Sequence, residues 1–247
     1  MSLRPTIDLL LEDEQIARLS AEVREAVEAK GADRGATEAI RAEVSATLRP
    51  ALIASLLEDD LGLEDRPALI VTPDDRSARE MAAALGAYLG DRLVRSYPSR
   101  GTGYASQVTP PPHLTGLRID ALDSFGREEE RPPVVVASAI ALAESVPDAS
   151  LRPAGFRLAV GEEHEPSQIA ADLVAAGYER VDQVQERGQF AFRGGLLDVF
   201  SATEDRATRI DFFGDEIESM RWFSTFTQRS LGQADSIELA PAAELDV

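Results

Sequence analysis

Three kinds of chemistry need particular residues in this chain, and each can be checked against the sequence. Phosphate transfer needs Gly-Lys-Ser/Thr at a strand-to-helix turn, with the lysine reaching the β- and γ-phosphates. Of the 25 Lys and Arg residues only Lys30 is a lysine, and Gly31-Ala32 follows it. No position can therefore supply the loop. GADRGAT (31–37) has the glycines without the cation. RGTGYAS (100–106) follows a strand ending at Tyr97-Pro98 and holds no GxGxxG, so it reads as a turn. Metal binding fares no better: His113 sits among prolines and His164 in EEHEP, without fixed carboxylate spacing. Both read as solvated loop residues, and the acidic runs Glu128-Glu129-Glu130 and Glu162-Glu163 as exposed faces. Cysteine is absent, which removes thiol nucleophiles, thiolate metal sites and disulfides. Nothing resembles the GxSxG elbow of a serine hydrolase. No cofactor, metal or catalytic residue is expected.

What remains is recognition, and it concentrates in QFAFRGGLLDVFSATEDRATRIDFFGDEIE (189–218). In TRIDFFGDE, which begins at Thr208, the period of two puts Arg209, Asp211 and Phe213 on one strand face. Thr208, Ile210 and Phe212 fall on the other, more apolar face, so Ile210 and Phe212 are expected in the core. Arg193 closes the preceding hairpin beside Gly194-Gly195, where missing side chains would let another backbone approach closely. Arginine and aromatic anchors are enriched at interface hot spots. A cross-strand Arg–Asp pair with a partly covered phenylalanine is the alternative, and it is common in sheets. On pattern alone both stay open.

The elements that must position these residues fall into two kinds. In the first half, Ile16, Leu19, Val23 and Val27 recur at helical spacing, as do Ile40, Val44, Leu48, Leu52 and Leu56. ALIVTP (68–73) reads as a buried strand, and Asp74 or Asp75 as the cap of a helix buried through Ala78, Met81, Ala82, Leu85 and Leu89. A strand at Leu93 to Tyr97 follows, then a helix with Leu117, Ala121, Leu122 and Phe125 inward. A strand at Val134 to Ala137 and a short helix ending near Pro147 complete it. Alternation of this kind predicts an α/β domain with a parallel sheet over residues 1–149. From 150 to 247 the pattern changes. After FRLAVG (156–161), a helix opens at Pro166-Ser167 with Ile169, Leu173 and Val174 inward and stops at Gly177. Strand candidates then follow at 188–193, 196–200, 207–213, 217–223 and 236–239. This predicts an α+β domain with a mostly antiparallel sheet.

Charge bounds the partners. Residues 1–150 carry 16 basic and 26 acidic side chains and residues 151–247 carry 9 and 18, within a net charge of -19. Phosphate backbones are held mainly by Lys and Arg, so autonomous nucleic-acid binding is disfavoured. No apolar run approaches the roughly 20 residues that span a bilayer, so no membrane partner is expected. MSLRPTIDLLLEDEQ lacks a cleavage signal, and the cytoplasm is the default expectation.

GQFAFRGGLLDVF, RIDFFGDEIESMRWF, QRSLG and APAAEL, in that order, resemble the second domain shared by bacterial transcription-repair coupling factors and UvrB excision-repair subunits. YERVDQVQERGQFAFRGGLLDVF looks closer to the coupling factors. ALIVTPDDRSAREMAAAL and VVVASAIALAESVP are similar to that family's first domain, a motor-like nucleotide-binding fold that has lost its phosphate loop in coupling factors. The resemblance implies a module that recruits UvrA, with the family's UvrA-contacting arginines and phenylalanine falling on Arg193, Arg209 and Phe213. Asp211 shares their face. The family's contacts with RNA polymerase and DNA would need domains absent from this chain, which is expected to be a fragment or a shortened relative. Two departures stand out. PSRGTGYASQVTPPPH (98–113) replaces a tryptophan- and glutamate-bearing segment of coupling factors, and UvrB's tyrosine-rich hairpin is missing. Two other classes remain: a UvrB-like nucleic-acid binder, which charge disfavours, and a small acidic enzyme, which no motif supports. The chain should neither bind nor hydrolyse ATP; saturable binding at micromolar ATP in a calorimetric titration would overturn this.

Overall fold

Val134–Ser138 is an unbroken apolar run ended by a serine, and every one of its residues is buried. A strand buried on both faces needs neighbours on both sides and cover above and below. The computed structural model describes residues 3–30, 39–58, 63, 65–90, 92–102, 109–126, 131–146 and 148–245. In chain order its elements begin with α1 (Pro5–Leu11), α2 (Glu14–Lys30), α3 (Arg49–Glu58), β1 (Ala68–Thr72), α4 (Asp75–Leu89) and β2 (Val94–Tyr97). Then come α5 (Pro112–Asp123), β3 (Val134–Ser138) and α6 (Ala139–Ala143). GADRGAT, the last four residues of RGTGYAS, residues 128–130 and Pro147 lie outside the described residues. The chain divides into two units: Met1–Tyr97 with Ala121–Ala143, and Pro98–Asp120 with Glu144–Val247.

In the first unit β3 is the centre of a parallel sheet ordered β1-β3-β2. Val134 and Val136 face α4, where Ala78, Ala82, Leu85 and Leu89 form the buried stripe with Met81 packed against it. Val135 and Ala137 face the other way, onto Ala121 and Ala141. Asp74 caps α4, its carboxylate accepting the Ser77 N–H at 2.8 Å. The expected helix through Ile40 to Leu56 is shorter than its spacing suggests. It begins only at Arg49, and Ile40 and Leu48 are exposed. Pro50 explains this, since proline lacks the N–H that a helix interior needs and is tolerated only in the first turn. Phe125, expected inward, lies beyond the end of α5 and is exposed.

The second unit contains β4 (Phe156–Ala159), α7 (Pro166–Ala175), β5 (Glu179–Arg180), β6 (Gln189–Arg193) and β7 (Leu196–Phe200). It ends with β8 (Ala207–Phe213), β9 (Glu216–Phe223), β10 (Ser230–Ala234) and β11 (Ser236–Leu239). Six strands form one sheet in the order β10-β9-β8-β7-β6-β5, antiparallel except for β5 against β6. β4 and β11 pair separately. The sequence reading missed the two-residue β5 and also β10, whose pairing is interrupted by a register shift between Ser230 and Gly232. Ile169 and Leu173 of α7 pack onto Phe190, Leu197, Ile210 and Met220, whereas Val174, expected inward, is exposed. Gly177 ends that helix at φ +85, and a Cβ there would lie 2.7 Å from the Ala243 nitrogen, so only glycine fits. No described helix is long and apolar enough to cross a membrane.

Two buried polar groups hold the second unit together. Arg118 of α5 is buried and bridges Glu244 (2.6 Å) and Glu144 (2.8 Å) while donating to the Pro98 carbonyl at 2.7 Å. Tyr178 donates its hydroxyl to the Ala240 carbonyl at 2.6 Å and accepts the Ala202 N–H at 3.3 Å. Burial pushes its pKa up to about 12, against a smaller downward pull from hydrogen bonds with Ser201 and the Ala202 backbone. The folded protein thus keeps a proton that the unfolded chain releases near pH 10, and stability should fall between about pH 10 and 12. Tyr178→Phe should remove that part of the alkaline slope and cost about 1–3 kcal/mol at neutral pH, because two backbone groups lose their partner. Urea melts of both proteins from pH 7 to 11 measure the difference.

Candidate functional site

LLDVF places a carboxylate in the middle of an apolar strand, and Asp198 is 1% exposed. A buried carboxylate needs a charged or hydrogen-bonding partner to remain ionised. β7 and β8 pair with Asp198 opposite Arg209, and Arg209 in turn stands opposite Arg221 of β9. Arg209 closes on Asp198 with two bonds, Nε–Oδ1 at 2.6 Å and Nη2–Oδ2 at 2.7 Å. Its guanidinium stands 4.6 Å from the centre of the Phe223 ring, and Nη2 also donates to Gln228 Oε1 at 2.9 Å. The hydrogen bond to Asp198 holds the Arg209 pKa still further above its ordinary value.

The strand alternation expected for 207–213 holds. Thr208 and Ile210 are buried on the core face, with Phe212 half-buried against them. Arg209, Asp211 and Phe213 share the opposite face. The register shift near Asp211 skips Glu218 of β9 and so leaves the alternation of β8 intact. Their exposures differ widely: the Arg209 side chain is 16% accessible, Arg193 58%, and Phe213 as a residue 77%. Arg193 touches Asp198 only at 3.5 Å. Asp211 pairs with Arg221 and accepts the Ser219 hydroxyl at 3.0 Å. Arg193 and Phe213 are therefore the outward members of the set, while Arg209 and Asp211 are held within the sheet.

Other expectations change on inspection. The backbone that approaches Gly195 belongs to this chain: Phe212 donates its N–H to the Gly195 carbonyl at 2.8 Å, and the Phe212 carbonyl would lie 2.9 Å from a Cβ there. His113 is not a loop residue but starts α5, with Nδ1 3.2 Å from the Ala202 carbonyl. His164 Nε2 sits 3.2 Å from Glu162. The strand-to-helix turn at Pro73–Asp75 carries its own anions. Asp74 is held below its ordinary carboxylate pKa by the Ser77 hydrogen bonds, and Asp75 accepts the Ser138 hydroxyl at 2.6 Å. Sequence reasoning passed over Asp198, Arg221, Gln228 and Phe226. The lone aspartate in LLDVF was the available signal, because a carboxylate in a central strand demands a cation on the neighbouring one.

The pairings sort the face energetically. Arg209→Ala would leave buried Asp198 with only the 3.5 Å contact to Arg193, so it should cost about 3–5 kcal/mol rather than the 0.5 kcal/mol or less of an exposed site. Phe213→Ala should stay within about 0.5 kcal/mol, and Ile210→Ala should lose roughly 2–5 kcal/mol through lost burial. Denaturant melts of the three variants test the assignment; early unfolding of Phe213→Ala with a normal Ile210→Ala would mean the faces are reversed.

With this geometry in hand, the likeness to known proteins has a clear location. Residues 156–245 match the UvrB interaction domain. The chain is 30% identical over 216 residues to the transcription-repair-coupling factor of Bacillus subtilis, covering 87% of this chain and 18% of that protein. It is 37% identical over 174 residues to the Mycobacterium bovis coupling factor, covering 68% and 14%. It is also 38% identical over 190 residues to the UvrABC system protein B of Microcystis aeruginosa, covering 72% and 28%. The chain spans less than a fifth of the length of these coupling factors. The sheet face described above lies wholly inside the matched segment, and the chain carries a UvrB interaction domain and is similar to transcription-repair coupling factors and UvrB proteins.

Proposed function

We propose that this chain is a non-catalytic protein-interaction module of transcription-coupled nucleotide excision repair, which docks UvrA and so recruits it to RNA polymerase stalled at a lesion. The observation that carries this reading is one sheet face, inside the UvrB interaction domain, with a solvent-facing arginine and a solvent-facing phenylalanine on it. Arg193, Arg209, Asp211 and Phe213 form the UvrA-binding set. Arg193 offers a planar, always-charged donor to an acidic surface, and Phe213 offers the apolar anchor. Arg209 and Asp211 fix the strand geometry beneath them. RNA polymerase and DNA are engaged through parts of the longer relatives that this chain does not contain. The first unit is read as a motor-like fold whose nucleotide chemistry is lost, and residues 1–149 and 150–247 as the two domains.

A second reading, a UvrB-like nucleic-acid binder, draws on the likeness to the Microcystis protein. The net charge of -19 weighs against it, since duplex binding scales with the cations that neutralise phosphates. One titration series separates the two. The chain should bind purified UvrA, with Arg193→Ala and Phe213→Ala each weakening the complex by about 1–4 kcal/mol, the range of hot-spot truncations. Duplex DNA at physiological salt should leave the chain unbound. A tight, salt-dependent DNA complex would favour the second reading, and variants that bind UvrA like the parent would sink the first.

A further inference from the structure

Phe226 is 96% exposed, more than any other large apolar residue described. It stands in the turn between β9 and β10, and that turn is tightly built. Ser224 donates its N–H to the Arg229 carbonyl at 3.0 Å, and Gln228 returns one to the Ser224 carbonyl at 2.7 Å. The Thr227 N–H meets Ser224 Oγ at 3.1 Å, and Gln228 Nε2 reaches the Thr225 carbonyl at 2.8 Å. Gln228 itself has φ +60, the only positive φ at a non-glycine position among the described residues. Such a backbone costs of order 1 kcal/mol or more and persists only where its surroundings impose it. Beside the turn's own bonds stands Arg209, which donates to Gln228 Oε1 at 2.9 Å while its other bonds grip buried Asp198. Arg209 thus ties the turn to the proposed docking face.

We infer that Phe226 is a second apolar anchor for UvrA, preset by the chain of contacts Asp198–Arg209–Gln228; this rests on the UvrA-docking reading above. Phe213 closes β8 at one end of the β8–β9 pair, and the Phe226 turn follows β9 at the other. Eight residues of β9 at about 3.3 Å each separate the two ends by roughly 25 Å. A standard patch of about 800 Å² per partner is wide enough to cover both. The face between them carries Arg209 and Arg221, and Arg229 adjoins the turn. Because Arg209 and Arg221 are already paired with Asp198 and Asp211, the matching surface on UvrA is then a polar strip with an apolar pocket at each end. An aromatic ring held on an ordered turn loses little conformational freedom on docking, which is what makes it effective as an anchor.

The experiment is a calorimetric titration of purified UvrA with the parent chain and with Phe226→Ala, Phe226→Asp, Gln228→Ala and Val174→Ala, each also melted alone. Phe226→Ala should raise Kd about tenfold or more with an unchanged melting temperature, and Phe226→Asp should raise it further. Gln228→Ala should weaken binding less, with faster amide exchange at Thr227 and Gln228. Val174→Ala, an exposed apolar residue on α7, should bind like the parent. If the parent binds but both Phe226 variants bind equally well, the second anchor is overturned while UvrA docking stands. If Gln228→Ala frees the turn without changing Kd, the positioning role is overturned. A parent chain that does not bind UvrA overturns the docking reading and this inference together.

Discussion

The buried carboxylate of Asp198 is the constraint from which this sheet face follows. A carboxylate buried in the middle of a sheet demands a partner of opposite charge and fixed geometry. The bidentate fork of Arg209 supplies it from the neighbouring strand. Once Arg209 is committed inward, its remaining donor capacity falls on Gln228 and its flat face on Phe223. A small apolar cluster of Val184, Ala191, Ala207 and Phe223, with Val181 and Phe200 against it, gathers on this side of the sheet. Cover of that kind lowers the local dielectric and strengthens the pair it surrounds.

The same arrangement bears on the two readings that the strand pattern left open for 207–213. The sheet contains the cross-strand ion pairs, and the residues proposed for a partner surface lie beside them. Arg209 pairs with Asp198 and Asp211 with Arg221, which are ordinary sheet contacts. Phe213 lies exposed on the same face, and Arg193 touches Asp198 only at 3.5 Å. The internal pairs neutralise charge and define the backbone, and Arg193 and Phe213 are left facing solvent. Under the proposed docking, a face so built would meet its partner already ordered, with less rotamer freedom lost on association.

How much of this was legible in the sequence depends on the range of the interaction. The alternation of β8 is a local property, so Thr208 and Ile210 inward and Phe213 outward could be read from six residues. The α4 stripe and its Asp74 cap were equally local. Pro50 was a local signal too, but the apolar spacing from Ile40 to Leu56 outvoted it. Long-range polar pairing was not legible. Nothing beside Arg118 announces that it will be buried between Glu144 and Glu244, and nothing beside Tyr178 points to Ala240. Asp198 was half-legible, because its strand demanded a cation without saying which one. Phe226 was missed for a different reason. It stands in the turn after β9, and the Arg209 side chain that holds Gln228 of that turn comes from β8, far back in the sequence.

The chain's use of arginine is the last part of the same logic. An acidic protein with a single lysine among 25 basic residues has chosen the cation that forks and stacks over the one that is a hydrated point charge. Three arginines show that geometry. Arg209 binds one carboxylate with two nitrogens, Arg118 reaches two carboxylates and a carbonyl, and Arg92 donates to the carbonyls of Pro132, Leu57 and Arg66. An ammonium has three donors around one atom and could not span these partners, which lie in different directions several ångströms apart. Arginine is also more weakly hydrated, so half-burying it beside Phe223 costs less. The preference that lets the sheet hold an aspartate in its interior is the same one that the proposed docking through Arg193 would use at its surface.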